Sequence, residues 1–164
     1  MVPVEGGTFL MGSPTNQTGS YTNERPQYLA TVSDYYIGQT PVTQELWQAV
    51  MGNNPSSFTG NLQRPVENVY WDHQDHREFS CMEFISKLNE KLEDTLNGRR
   101  FRLPTEAEWE FAAKGGNQSN GYIFAGSNTP GSVAWYSTNS SSKTQPVAQK
   151  APNELGIYDM SGNV

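Results

Sequence analysis

Cysteine is nearly missing from this chain: Cys81 stands alone among 164 residues. That excludes an internal disulfide and a structural zinc site built on thiolates. Histidine is almost as scarce, with only His73 and His76. Eleven Lys and Arg face 17 Asp and Glu, for a net charge of -6. The one basic cluster is "GRRFR", Gly98 to Arg102, too short a stripe to neutralise a run of phosphates, so no nucleic-acid partner is expected. No apolar run approaches the ~20 residues of a membrane span, so none is expected. The opening "MVPVEGGTFLMGS" lacks the basic start and apolar run of a signal peptide, which tilts the location toward the cytoplasm and leaves export open.

What is present is turn chemistry and aromatic rings. Charged residues make up only 17% of the chain, while there are 15 glycines, 10 prolines and 12% aromatics. The apolar share is too high for disorder, so long connections must be held by a few aromatic clusters. The length suits one domain with a real core.

Along the chain, Gly6-Gly7 followed by Thr8, Phe9 and Leu10 reads as a turn and a short strand within Val4–Met11. "GSPTNQTGSYTNERP" is a polar loop. "QYLATVSDYYIGQTPVT" alternates partially at Tyr28, Ala30, Val32 and Tyr35–Ile37, enough for two strands. Thr43 caps a short helix through Leu46, Trp47, Val50 and Met51 that Gly52 ends. A longer helix carries Phe79, Met82, Ile85, Leu88, Leu92 and Leu96 at helical spacing and stops at Asn97-Gly98. "RFRLPTEAEWEFAAKGG" predicts a brief strand, a proline break and a helix opened by a Thr105/Glu108 capping box, with Trp109, Ala112 and Ala113 inward. Beyond Gly116 the pattern is loop, anchored by Tyr122, Phe124, Trp135 and Tyr136. Segregated strands and helices define an α+β class.

Several clusters invite a chemical reading. Asp72, His73, Asp75 and His76 bring acids and imidazoles together, but they sit at a helix start, where acids complement the dipole. Glu106, Glu108 and Glu110 look like paired carboxylates, yet Glu108 is taken by the capping box, and Arg102 and Lys114 neighbour the other two. Trp47, Trp71, Trp109 and Trp135 are read as pins for loops rather than a stacking platform. Cys81, among Phe79, Met82 and Ile85, is read as a small core hydrophobe.

Taken in order, "GGTFLMGS", "NERPQYLATVSDYYIGQTPVTQELW", "PVENVYWD", "RFRLPTEAEWEFAAKGG" and "PVAQKAPNELGIYDMSGNV" resemble the formylglycine-generating enzyme, or sulfatase-modifying factor, family across nearly the whole chain. The resemblance implies a C-type-lectin-like, loop-rich α+β fold over residues 1–164, read as a single domain incomplete at its C-terminus. It implies oxidation of a substrate cysteine to formylglycine by a cysteine pair and copper. That pair lies in the C-terminal part of the family and has no counterpart here, so the chain as given is expected to be inactive. A second reading from the same resemblance is a non-catalytic module that binds a protein, peptide or other ligand.

The resemblance also implies calcium. "YDMSGNV" matches a calcium-binding turn in which the side chain of Asp159 and the backbone carbonyls of Gly162 and Val164 are ligands, completed in the family by a glutamate not present in this chain. Calcium favours such a set of hard oxygens. The alternative is that Asp159 merely caps the turn. A second implied calcium loop lies in "SVAWYSTNSSS", with Asn139 as a side-chain donor and backbone donors near Ala134 and Ser141. Val133 stands where that loop would supply another side-chain oxygen, and offers none.

Overall fold

The computed structural model describes residues 1–17, 20–72 and 77–164. The His73, Asp75 and His76 members of the acid and imidazole cluster lie outside the described residues, and Asp72 is exposed.

Four short strands come first: β1 (Val2–Val4), β2 (Gly7–Met11), β3 (Tyr28–Val32) and β4 (Tyr35–Ile37). β1 pairs with β4 and β2 with β3, both antiparallel. The register is continuous: Val2 faces Ile37, Val4 faces Tyr35, Gly7 faces Val32 and Met11 faces Tyr28. The four strands are thus one two-stranded ribbon, interrupted where the Gly6 N–H turns from the ladder to the Asp34 carboxylate at 2.8 Å. A side chain at Gly6 would put its Cβ 2.5 Å from the Val32 carbonyl, so the close crossing at this break demands glycine.

Helix α1 (Gln44–Met51) begins as expected at Thr43, whose hydroxyl accepts from the Leu46 N–H, and ends at Gly52 with φ of 80°. Helix α2 (Cys81–Leu96) is capped by Ser80 and closed by Asn97 at φ 49°. Phe84 is buried on its inward side, while Met82, which the helical spacing places with the apolar residues, is exposed. Phe79 belongs to the 3-10 turn Arg77–Phe79 ahead of the helix. Helix α3 (Glu106–Ala113) has the predicted capping box in full. Its phase differs from the expected one: Phe111 and Ala112 are buried, while Trp109 is 44% exposed. A 3-10 turn at Gly116–Gln118 and a single helical turn, α4 (Pro130–Val133), follow, and the rest of the tail is loop.

No strand forms at Phe101 to Leu103. There the Asn89 amide does what a neighbouring strand would do: Oδ1 accepts from the Phe101 N–H at 2.7 Å and Nδ2 donates to the Phe101 carbonyl at 2.9 Å. Both backbone groups are satisfied without a ladder.

Two apolar clusters result. In one, Phe111 of α3 meets Val4 and Val32 of the ribbon, with Phe9, Tyr35, Ile37 and Leu155 around them. In the other, Trp47 stacks flat on Phe84, ring centroids 5.0 Å apart, beside Val50. α3 is also stapled to the end of β2, because Glu110 accepts from the Gly12 N–H while Lys114 donates to the Leu10 carbonyl and pairs with Glu110 at 2.7 Å. No helix among the described residues is long and apolar enough to cross a membrane.

Candidate functional site

The C-terminal turn is built on amide side chains. Asn153, buried, accepts from the N–H groups of Leu155 and Ile157 and donates to the carbonyl of Ala112 at the end of α3, which fixes the tail against that helix. Further on, Asn163 donates to the Gln145 carbonyl and accepts from its N–H at 2.7 Å, while its own N–H reaches the Trp135 carbonyl. Gly162 lies against that same carbonyl: a Cβ there would sit 2.3 Å from the Trp135 oxygen. Only glycine lets the turn close.

Asp159 sits inside this frame, buried and in the left-handed region at φ 59°. One carboxylate oxygen accepts from the Ala148 N–H at 2.8 Å, and the other lies 3.5 Å from the Asn163 amide nitrogen. Burial pushes its pKa up, against the smaller opposing effects of those two contacts. No basic side chain pairs with it among the described residues. The structure therefore places Asp159 and Gly162 together in one turn, with Val164 exposed at its end.

Asp159 offers one hard oxygen donor of the kind calcium takes, a desolvated carboxylate held only by neutral N–H groups. No group of three His, Cys, Asp or Glu side chains gathers among the described residues, so any further protein ligands here would be neutral oxygens, from the backbone or from amide and hydroxyl side chains, or at most one more such side chain. The loop at Asn139 is different. Its Oδ1 accepts from the Tyr136 N–H at 2.8 Å, and its Nδ2 donates to the Ala134 carbonyl at 3.0 Å. The amide is spent on one of the oxygens that would have faced the ion, and Val133 is buried beside it. This donor set does not fit calcium. Nearby, Lys150 donates to the Gly131 carbonyl at 2.8 Å and lies 4.1 Å from the Trp135 ring centroid.

Copper(I) does not fit the residues present. It favours a pair of thiolates, and the chain's one cysteine, Cys81, is half-buried at the start of α2, where burial raises its thiol pKa. The three glutamates of α3 are structural. Glu108 receives both arms of Arg102 at 2.6 Å and the Thr105 N–H, which hold its pKa at about 2, Glu110 pairs with Lys114, and Glu106 is exposed in the first turn.

Of the tryptophans, Trp47 is fully packed, but Trp71 and Trp109 are turned outward, so these two are not the loop pins that the sequence suggests. Trp109 opens onto a cleft of about 760 Å³ between the end of β2, the start of β3 and α3, with Tyr28, Tyr122 and Ile123 also exposed along it. Sequence reasoning missed this cleft. Its elements are separated by most of the chain, and only the placement of Trp109 at i+3 from exposed Glu106 hints at an outward ring.

An α+β, loop-rich domain whose long tail is tied down by buried amides, and whose sequence carries the five ordered motifs described above, defines a narrow class. The family model described as "Sulfatase-modifying factor enzyme 1-like domain" matches residues 1–164, and the chain belongs to that family. Chaperone protein LppX of Paenibacillus barcinonensis is 38% identical over all of this chain and 69% of its own length. A formylglycine-generating enzyme of Thermomonospora curvata is 39% identical over 81% of this chain, which spans 43% of that enzyme. Among solved structures, Treponema denticola variable protein 1 superposes with a TM-score of 0.80 at 36% identity, covering 100% of this chain and 70% of that one.

Proposed function

We propose that these 164 residues form a sulfatase-modifying-factor-like domain that binds a protein or peptide and supplies no cysteine oxidation of its own. One observation carries this reading: the only thiol, Cys81, is half-buried in a helix and held toward its protonated form, so the chain has no thiolate pair with which to hold copper. The exposed aromatic cleft at Trp109 supports the binding half, since aromatic side chains are enriched where proteins dock on one another. The oxidation half is tested by incubating the chain with copper(I), oxygen and a sulfatase-type cysteine peptide, then probing for aldehyde with a carbonyl-reactive label. No labelled peptide is expected, and catalytic turnover to an aldehyde rules the reading out.

The second part of the proposal is calcium at the C-terminal turn, with Asp159 as the charged ligand and the carbonyls of Gly162 and Val164 beside it. The support is a buried carboxylate without a cationic partner among the described residues. Because the carboxylate's pKa is raised, its ionisation weakens the fold as pH rises through the carboxylate range, and a bound cation offsets that cost. Calcium at 100 times its Kd is expected to add about 2.7 kcal/mol to stability. The midpoint of urea unfolding, measured in calcium and in chelator at pH 7, reads this directly. Asp159→Asn is expected to remove the calcium response while leaving the chelator-treated protein folded. An identical midpoint with and without calcium would count against the site.

A further inference from the structure

The short basic run "GRRFR" was too small to serve a nucleic acid, and neither the amide-tied turn nor the aromatic cleft uses it. In the fold it lies after the end of α2 and against β4, and it lines a cleft of about 560 Å³. That volume falls within the roughly 300–1,000 Å³ of small-molecule sites. Tyr36, Ile37, Leu96 and Phe101 supply apolar walls, and Arg99 and Arg100 supply charge.

The charges are arranged unequally. Arg102, also at the cleft, is engaged with Glu108 through two 2.6 Å contacts, so the only carboxylate lining this space among the described residues is already neutralised. Among the described residues the ion pairs are Lys87–Glu83, Arg102–Glu108 and Lys114–Glu110, and neither Arg99 nor Arg100 enters one. Glu90 and Glu93 line an adjoining cleft beside the same two arginines without pairing to them. Arg99 lies over the Tyr36 ring, 5.5 Å from its centroid, which fixes a guanidinium on an aromatic face. Two guanidinium groups without an ion-pair partner among the described residues therefore stand at an apolar cleft on a chain of net charge -6.

We propose that this cleft binds a small organic anion: a flat or branched apolar body against Tyr36, Leu96 and Phe101, with a carboxylate or sulfonate received by Arg99 and Arg100. Guanidinium groups match the planar geometry of such oxygens and bind them by charge-assisted hydrogen bonds. The site is separate from the Asp159 turn and does not depend on the binding function proposed above.

The test uses a fluorescent anion, 1-anilinonaphthalene-8-sulfonate, and its uncharged counterpart N-phenyl-1-naphthylamine. Saturable binding of the sulfonate, at least tenfold tighter than the neutral dye and weakened by added salt, is expected of the unmodified chain. The double substitution Arg99→Gln/Arg100→Gln falls on exposed side chains. It is expected to lower sulfonate affinity at least tenfold and leave the neutral dye unchanged, while Lys87→Gln/Lys91→Gln changes neither. Naphthalene-1-carboxylate should displace the dye. Equal affinity for the two dyes, or undiminished sulfonate binding by the arginine variant, overturns the proposal. Displacement by a glutamate-rich peptide at lower concentration than the naphthalene acid overturns its assignment to a small molecule.

Discussion

Trp47→Ala is expected to destabilise the domain by about 3–5 kcal/mol, the cost of deleting a large aromatic from a packed interior. Trp47 is 1% exposed, stacked on Phe84 at 5.0 Å, and at the centre of a cluster with Val50. It is also more than a filler. The indole N–H donates to Asn53 Oδ1 at 3.0 Å, and the Asn53 amide passes on to the Glu78 carbonyl, so one side chain ties α1 to the approach of α2. Set against a total of about 5–15 kcal/mol for a natural domain, the loss is a large fraction of the whole. Urea unfolding should show a lower midpoint with little change in slope. Trp47→Phe should cost less, retaining the stack and losing the hydrogen bond. A shift below about 1 kcal/mol for the alanine variant would mean that Trp47 does not anchor this core.

Asn153→Asp should cost nearly as much, about 3 kcal/mol at neutral pH, from an almost isosteric change. The Asn153 Oδ1 accepts two N–H groups, and a carboxylate oxygen can do the same. Its Nδ2, however, donates to the carbonyls of Ala112 and Ala113 at 2.7 and 3.3 Å, where an aspartate oxygen would meet two acceptors in a buried place. The protonated acid restores one donor. The folded-state pKa of the introduced carboxyl is therefore raised, and the deficit should shrink as pH falls from neutral through that raised pKa. Thermal unfolding between pH 7 and pH 4, referenced to the unmodified chain, reads the effect. A deficit that stays constant or grows on acidification would mean that the amide's donor is not what holds the tail to α3.

Both variants act on contacts that sequence reading reaches unevenly. Thr43 and Gly52 bracket α1 as their chemistry requires, and the Thr105/Glu108 capping box forms as written, because a cap is a contract between residues three or four apart. The α+β class follows from the same local signals. The inward face of α3 does not: Trp109 was expected inside, and Phe111 is the residue that meets Val4 and Val32. An eight-residue helix with Ala and an aromatic on two sides has no single apolar stripe, so the ribbon that it packs on selects the face.

The strand missing at Phe101 has a similar cause. Its β-like residues are real, but the partner that the fold supplies is the Asn89 amide rather than a backbone. At the tail, Asp159 and Gly162 belong visibly to one turn, whereas the Ala148, Gln145 and Trp135 groups that enclose them come from well up the chain.

The sequence by itself determined the caps that open α1 and α3, the family, and the absence from this chain of a cysteine pair, since each depends on residue identity or on neighbours within one turn. Tertiary structure alone decided which ring of α3 faces water, that Asn139 closes on Ala134, and, among the described residues, that Asp159 is buried without a counter-ion and that Arg99 and Arg100 are left without an ion pair beside an apolar cleft. Those outcomes depend on which distant backbone groups and side chains arrive at the same place, and desolvation and pairing are properties of that meeting rather than of any residue in it.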